Sequence, residues 1–101
     1  MNGKMMPGKI QIELPEEIAE GIYANLVAIA HSPSEFVFDF VRAVPGVPKA
    51  KVQTRVIMTP INAKNLISAL KDNIDKYEAK FGEIKVGGKN AEKTIGFSTE
   101  G

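Results

Sequence analysis

One segment of the sequence carries an unbroken helical pattern, and it limits the fold more than any other feature. Apolar residues recur there at alternating spacings of four and three, with Leu66 beside them: Ala63, Ile67, Leu70, Ile74, Tyr77 and Phe81. This helix stripe predicts one amphipathic helix of about 22 residues. Thr59 is a favourable N-cap, Pro60 suits the first helical position, and Gly82 is a natural stop.

Three runs of strand-forming residues precede the helix. They extend over residues 22–31, 35–44 and 49–59, separated by the turn residues 32–34 and 45–48. Alternation at 9–14 predicts a further half-buried strand, and short turns favour antiparallel neighbours. We therefore predict an α+β fold, in which an antiparallel β-meander of three to four strands carries one long C-terminal helix packed on one face.

Composition narrows the classes of function. The chain has 101 residues, 44% hydrophobic and 25% charged, which is ordinary for one globular domain. Thirteen Lys and Arg against twelve Asp and Glu give a net charge of +1, too balanced to hold nucleic acid by bulk charge. With no cysteine, the chain has no disulfide, thiolate metal site or thiol nucleophile. We predict a protein that is not an enzyme and has no cofactor and no bound metal.

The ends of the chain and its hydropathy predict where the protein resides. No run approaches the roughly 18 to 20 apolar residues that cross a bilayer, and the first residues lack a signal-peptide core. We expect a cytoplasmic protein without membrane contact. Its single domain is predicted at 9–84, between a flexible N-terminus at 1–8 and a flexible, glycine- and lysine-containing tail at 85–101.

Turn lengths predict which side chains share a face of the sheet. We expect His31 opposite Glu35, and Pro45 opposite Lys49. One face is then free of charge, and we assign it to the core under the helix. Its members on the last two strands include Phe36, Phe38, Phe40, Thr54, Val56 and Met58.

Charge supports this register between the second and third runs. It places Asp39 directly across from Arg55 on the opposite face. A slip of one residue would put Arg55 beside Phe38 in the core, where an unpaired guanidinium is costly.

The face with Asp39 and Arg55 is the predicted site. Its candidate ligand or interface residues are Tyr23, Asn25, His31, Asp39, Gln53 and Arg55. Apolar residues predicted beside them, such as Val27 and Ile29, form a patch of the kind that marks an interaction surface. Since one helix covers one face, we expect a second copy to cover the other in a sheet-on-sheet homodimer.

Two interpretations of the Asp39–Arg55 pair remain open. The guanidinium could orient the carboxylate or phosphate of a small ligand or substrate, or the pair could be a cross-strand ion pair that fixes register or dimer alignment. A third hypothesis is weak nucleic-acid binding through two lysine-bearing segments. Their basic residues are Arg42, Lys49 and Lys51 at the second turn, and Lys85, Lys89 and Lys93 in the tail.

The segment His31-Ser32-Pro33-Ser34-Glu35 holds a histidine, a serine and an acid within five residues. A catalytic triad brings these groups together from separate loops, and a tight turn cannot present one. We expect turn chemistry instead, with side chains bonding the local backbone and Pro33 fixing φ.

Several motifs together resemble a known family. They are Ile22-Tyr23-x-Asn25, His31-Ser32-Pro33-x-Glu35-Phe36-x-x-Asp39-Phe40 and Thr59-Pro60-x-x-Ala63-Lys64. From about Ile10 to Phe81 the chain is similar to short bacterial and archaeal proteins that form a domain-of-unknown-function family. The resemblance implies no known activity, cofactor or catalytic residue. Some relatives are encoded beside genes for the large subunits of RNA polymerase, so it implies a protein partner in transcription.

Overall fold

A computed structural model describes the chain at residues 10–87, and its backbone alone at 3–6 and 97–100. The elements in chain order are β1 (Gly3–Met6), β2 (Ile10–Glu13), α1 (Glu16–Ala19), β3 (Leu26–His31), β4 (Phe36–Arg42), β5 (Lys51–Met58), α2 (Pro60–Phe81) and β6 (Phe97–Glu100). The predicted α+β class is confirmed. Most of the residues predicted to be flexible, 1–8 and 85–101, lie outside those that the structure describes, and strands β1 and β6 were not predicted.

The main sheet has the strand order β5-β4-β3-β6. Strands β3, β4 and β5 form the predicted antiparallel meander, and β6 lies parallel to β3. The predicted strand at 9–14 forms as β2, but it pairs with β1 in a separate two-stranded sheet. Its side chains are exposed rather than half-buried.

The register between β4 and β5 is the predicted one from Phe36 to Phe40, and a bulge then shifts it by one residue, so that Arg42 pairs with Lys51 and the predicted pairing of Pro45 with Lys49 is wrong. Phe38 pairs with Val56, and Asp39 pairs with Arg55. The second turn closes by a hydrogen bond from Val47 N to Val44 O (3.0 Å), and Gly46 has φ of +84°. A positive φ after a proline is the geometry of a type II turn, which glycine adopts without strain.

The register between β3 and β4 differs from the predicted one by one residue. His31 pairs with Phe36 instead of Glu35, because the first turn is tighter than expected. Ser32 N donates to Glu35 O at 2.9 Å, which leaves two residues in the loop. Ser32 Oγ accepts hydrogen bonds from Ser34 N and Glu35 N, each at 3.3 Å. The expected turn chemistry is therefore confirmed, while the predicted loop length is wrong.

This shift exchanges the two faces of β3. Val27, Ile29 and His31 lie on the Phe face, which is the face with Phe36, Phe38 and Phe40. Leu26, Ala28 and Ala30 lie on the ion-pair face, which is the face with Asp39 and Arg55. The smaller side chains of β3 thus surround the ion pair, and the ion-pair face is less apolar than the sequence predicted.

Helix α2 has the predicted bounds. Thr59 Oγ1 accepts from Asn62 N at 3.3 Å, Pro60 occupies the first turn, and Gly82 ends the helix at φ of +99°. In the last turn of the helix, the backbone carbonyl of Glu78 accepts a hydrogen bond from Gly82 N at 2.9 Å. These caps satisfy backbone groups that helix ends otherwise leave unpaired.

The helix stripe is largely uncovered within one chain. Leu70 is 55% exposed, Ile67 67% and Phe81 66%, and Ala63 is the buried member at the N-terminal end. The sequence predicted that this stripe would pack on one face of the sheet, and for most of its length it does not. A single residue, Thr59, separates β5 from α2, so no loop is available to redirect the helix over its own sheet.

Candidate interaction surface

Asp39 and Arg55 form the centre of the ion-pair face. They lie directly opposite each other on β4 and β5. Arg55 Nε donates to Asp39 Oδ1 at 2.7 Å, and Arg55 Nη2 donates to Asp39 Oδ2 at 2.9 Å. This is the bidentate arrangement in which an arginine fork matches a carboxylate, and it gives the pair geometric specificity.

The carboxylate is the inner member of the pair. The side chain of Asp39 is 17% exposed, whereas that of Arg55 is 61% exposed. The hydrogen bonds from Arg55 lower the pKa of Asp39, and burial opposes this effect only in part. The same hydrogen bonds raise the pKa of Arg55. At neutral pH both groups are therefore charged, and each is engaged in hydrogen bonds with the other.

Asn25 acts on the backbone rather than on a ligand. Its Nδ2 donates to Ala43 O at 3.0 Å, and its Oδ1 accepts from Ala43 N at 2.9 Å. Its own backbone N donates to Val41 O at 2.9 Å. These bonds extend the β3–β4 pairing beyond the start of β3, so the side chain is held away from the ion pair.

The other candidates lie apart from the ion pair. His31 stacks on Phe36 on the Phe face, with ring centroids 5.5 Å apart. The ring of Tyr23 lies 5.8 Å from the guanidinium carbon of Arg42. Gln53 lies at a β-bulge and donates from Nε2 to Lys51 O at 3.2 Å. The six candidates therefore do not share one face, and Asp39 and Arg55 are the pair that the structure brings together. A ligand or interface role for the six stays a prediction.

The helix stripe is a candidate interaction surface that the sequence interpretation did not consider. It was assigned to the core because an amphipathic helix usually covers its own sheet. Its spacing of four and three was already the signal, since so narrow a stripe is typical of a helix that pairs with another helix.

One cavity among the described residues lies in the segment around α1. A cavity of about 200 Å³ is lined by Glu17, Ile18, Gly21 and Ile22, none of which is a candidate site residue. Within residues 10–87, no group of three or more metal-ligating side chains is found. Among the described helices, none has both the length and the apolar character needed to span a bilayer.

Fold and surface together define a class of protein, a small α+β domain that carries a cross-strand ion pair and a long helix with an exposed apolar stripe. Residues 1–86 match the family described as "Protein of unknown function (DUF3467)". Because the match covers most of the 101 residues, the chain belongs to this family, and the resemblance seen in the sequence is confirmed. Neither the curated proteins nor the solved structures compared with the chain include a match.

The ion pair makes stability depend on pH. Asp39 has a folded-state pKa below its ordinary value of 3.8, so its contribution is present above pH 3.8 and is lost as the pH falls through the lower, folded-state pKa. We expect Asp39→Asn to lower the thermal unfolding midpoint at pH 7, and the difference from wild type to shrink below pH 3.8. Melting curves of the wild type and of Asp39→Asn at pH 7 and pH 2.5 check this. An equal difference at pH 7 and pH 2.5 would contradict it.

Asn25 gives a second prediction from this surface. Asn25→Ala removes both side-chain bonds to Ala43 and is expected to cost about 1–2 kcal/mol of unfolding free energy. Asn25→Asp keeps the acceptor for Ala43 N and loses only the donor, so it serves as the matched control. Urea denaturation measures both variants. If Asn25→Ala were as stable as wild type, these bonds would not hold the end of β3.

Proposed function

We propose that this protein is a non-enzymatic, homodimeric interaction module that completes its hydrophobic core with a second copy of itself. One observation carries the proposal. Among the residues described with side chains, the buried hydrophobic ones are Phe38, Val41 and Ala63. Three such side chains are far fewer than a stable domain of this length buries.

The exposed helix stripe supports the same proposal. Most helices in proteins owe their stability to an apolar face packed on another element rather than to intrinsic propensity. Here that face stays open within one chain. A contiguous apolar surface of this kind usually marks an interaction site, and a second copy is a partner that is always present at the same concentration.

The chemistry of the polar residues supports a non-catalytic role. Asp39 and Arg55 neutralise each other, and Asn25 bonds to the backbone of Ala43. The guanidinium of Arg55 is the one feature that favours the alternative of a small-ligand binder, because it is 61% exposed and could meet a carboxylate or phosphate. Titration with acetate and with inorganic phosphate, followed by NMR, tests this alternative, which predicts shifts at Arg55.

A cytoplasmic location is part of the proposal, and a protein partner in transcription remains a prediction that follows from the family resemblance.

Weak nucleic-acid binding remains a prediction too. On β4 and β5, Arg42 and Lys51 lie opposite each other, and like charges in this position mildly destabilise a sheet. That hypothesis requires binding that weakens steeply with salt.

Thermal unfolding at several protein concentrations tests the dimer. For a fold that depends on association, the unfolding midpoint rises with protein concentration by mass action. We expect the unfolding midpoint to rise as the protein concentration increases from one to one hundred micromolar. A midpoint that does not change over this range, together with the mass of a single chain, would refute the proposal.

A further inference from the structure

We infer that the helix stripe pairs with the helix stripe of a second copy, with the two α2 helices antiparallel. This inference rests on the proposed function, since it names the surface through which that dimer forms. It commits to one occupant for the exposed face of α2.

The spacing of the stripe fits a helix better than a sheet. From Ala63 to Phe81 the steps are four, three, four, three and four, which is the a/d pattern of a two-helix seam. A helix that packs on a sheet or a globular core adds apolar residues at a flanking position. The flanking residues here are Lys64, Lys71 and Glu78 on one side, and Leu66, Asn73 and Lys80 on the other. Leu66 is the single apolar member, so the seam is narrow.

Side-chain size favours the antiparallel orientation. A twofold axis near residue 72 sets Leu70 against Ile74 of the second copy, and Ile67 against Tyr77. Phe81 then lies towards the N-terminal end of the second helix, near Ala63, which its own chain already covers. A parallel pair would instead stack Tyr77 on Tyr77 and Phe81 on Phe81. Layers of alternating large and small residues pack more evenly than layers of like size.

Charge favours the same orientation. In an antiparallel pair, each row of flanking residues faces the same row of the second helix, running in the opposite direction. Lys64 of each copy then lies near Glu78 of the other. Glu78 Oε2 accepts from Ile84 N at 2.8 Å, so its carboxylate is held at the helix surface. The two Lys71 side chains approach the axis, but each already pairs with Asp75 of its own helix at 3.0 Å. The helix surface is therefore complementary to itself in this orientation.

Cysteine cross-linking tests the pairing directly, because the natural chain has no cysteine. Asn73 flanks the seam beside the twofold axis, whereas Asn65 lies on the opposite side of the same helix. We expect Asn73→Cys to form a covalent dimer under mild oxidation, and Asn65→Cys, its matched control, to remain a single chain. Circular dichroism confirms that both variants fold. The protein is the full-length chain, and non-reducing electrophoresis is the measurement.

The outcomes separate this inference from the proposed function. If the wild-type chain is a dimer but Asn73→Cys does not cross-link, or cross-links no more than Asn65→Cys, the helix pairing is overturned and the dimer stands. If Tyr77→Cys cross-links and Asn73→Cys does not, the antiparallel orientation is overturned. In that orientation the two copies of residue 77 lie about 15 Å apart along the helix axis. A wild-type monomer overturns both.

Discussion

Replacing Leu70 by glutamate is expected to convert the dimer into single chains. Leu70 is 55% exposed within one chain, so the change removes little from the fold of the monomer. In the dimer it would bury a carboxylate near the twofold axis without a partner, once from each copy. We expect the dissociation constant to rise by roughly 100-fold or more, which corresponds to about 3 kcal/mol. Sedimentation across micromolar concentrations measures it.

Ser68→Glu is the matched control for that experiment. Ser68 lies on the same helix two residues away, exposed and outside the stripe, so the same charge is added without entering the seam. We expect this variant to associate like wild type. If both glutamate variants dissociate, charge on the helix rather than burial of Leu70 governs association. If neither dissociates, Leu70 is not in the interface. Should Leu70→Glu unfold, a loss of structure on dilution of the wild-type chain would show that folding and association are coupled.

The second large effect is expected at Phe38. This side chain lies at the centre of the Phe face, opposite Val56 and Ile29, and is buried within one chain. Phe38→Ala should cost about 3–5 kcal/mol of unfolding free energy, which is most of the stability of an ordinary small domain. Urea denaturation followed by circular dichroism measures the loss.

Phe81→Ala is the same substitution at an exposed position. Phe81 is 66% exposed within one chain, so we expect its truncation to act on association rather than on the fold of the chain. If the Leu70→Glu chain stays folded without a partner, adding Phe81→Ala should change its unfolding free energy by less than about 0.5 kcal/mol. A cost equal to that of Phe38→Ala in this background would mean that Phe81 packs within its own chain.

Some features of the fold could be predicted because single residues mark them. Thr59, Pro60 and Gly82 define the ends of α2, since each suits a terminal position for its own reason. The opposite charges of Asp39 and Arg55 selected the β4–β5 register, because the alternative would have buried a lone guanidinium. Both predictions rest on strong local penalties for the wrong arrangement.

The β3–β4 register lacked such a penalty. Strand β3 is apolar on both parities, with Val27 and Ile29 on one and Leu26 and Ala28 on the other. Either face could therefore be the buried one, and hydrophobic pattern could not choose. The choice depended on whether the first turn has two or three loop residues, which the hydrogen bond from Ser32 N to Glu35 O decides. The six candidate residues do not share one face because this one-residue error moves His31 to the other face, and because Asn25 bonds to the backbone.

The place of α2 could not be predicted for a different reason. Its stripe was correctly identified, but amphipathicity shows only that a helix has an apolar face and not which surface covers it. In the part of the chain that the structure describes, Ile67, Leu70 and Phe81 stay exposed. An interaction between two copies leaves no mark on the sequence beyond self-complementarity along the helix.

The solution mass of the wild-type chain tests the dimer most directly. Sedimentation equilibrium from one to one hundred micromolar should give twice the 11.0 kDa of a single chain, with dissociation at most at the lowest concentrations. A mass of 11.0 kDa at every concentration would contradict the dimer, and with it the pairing of the α2 helices.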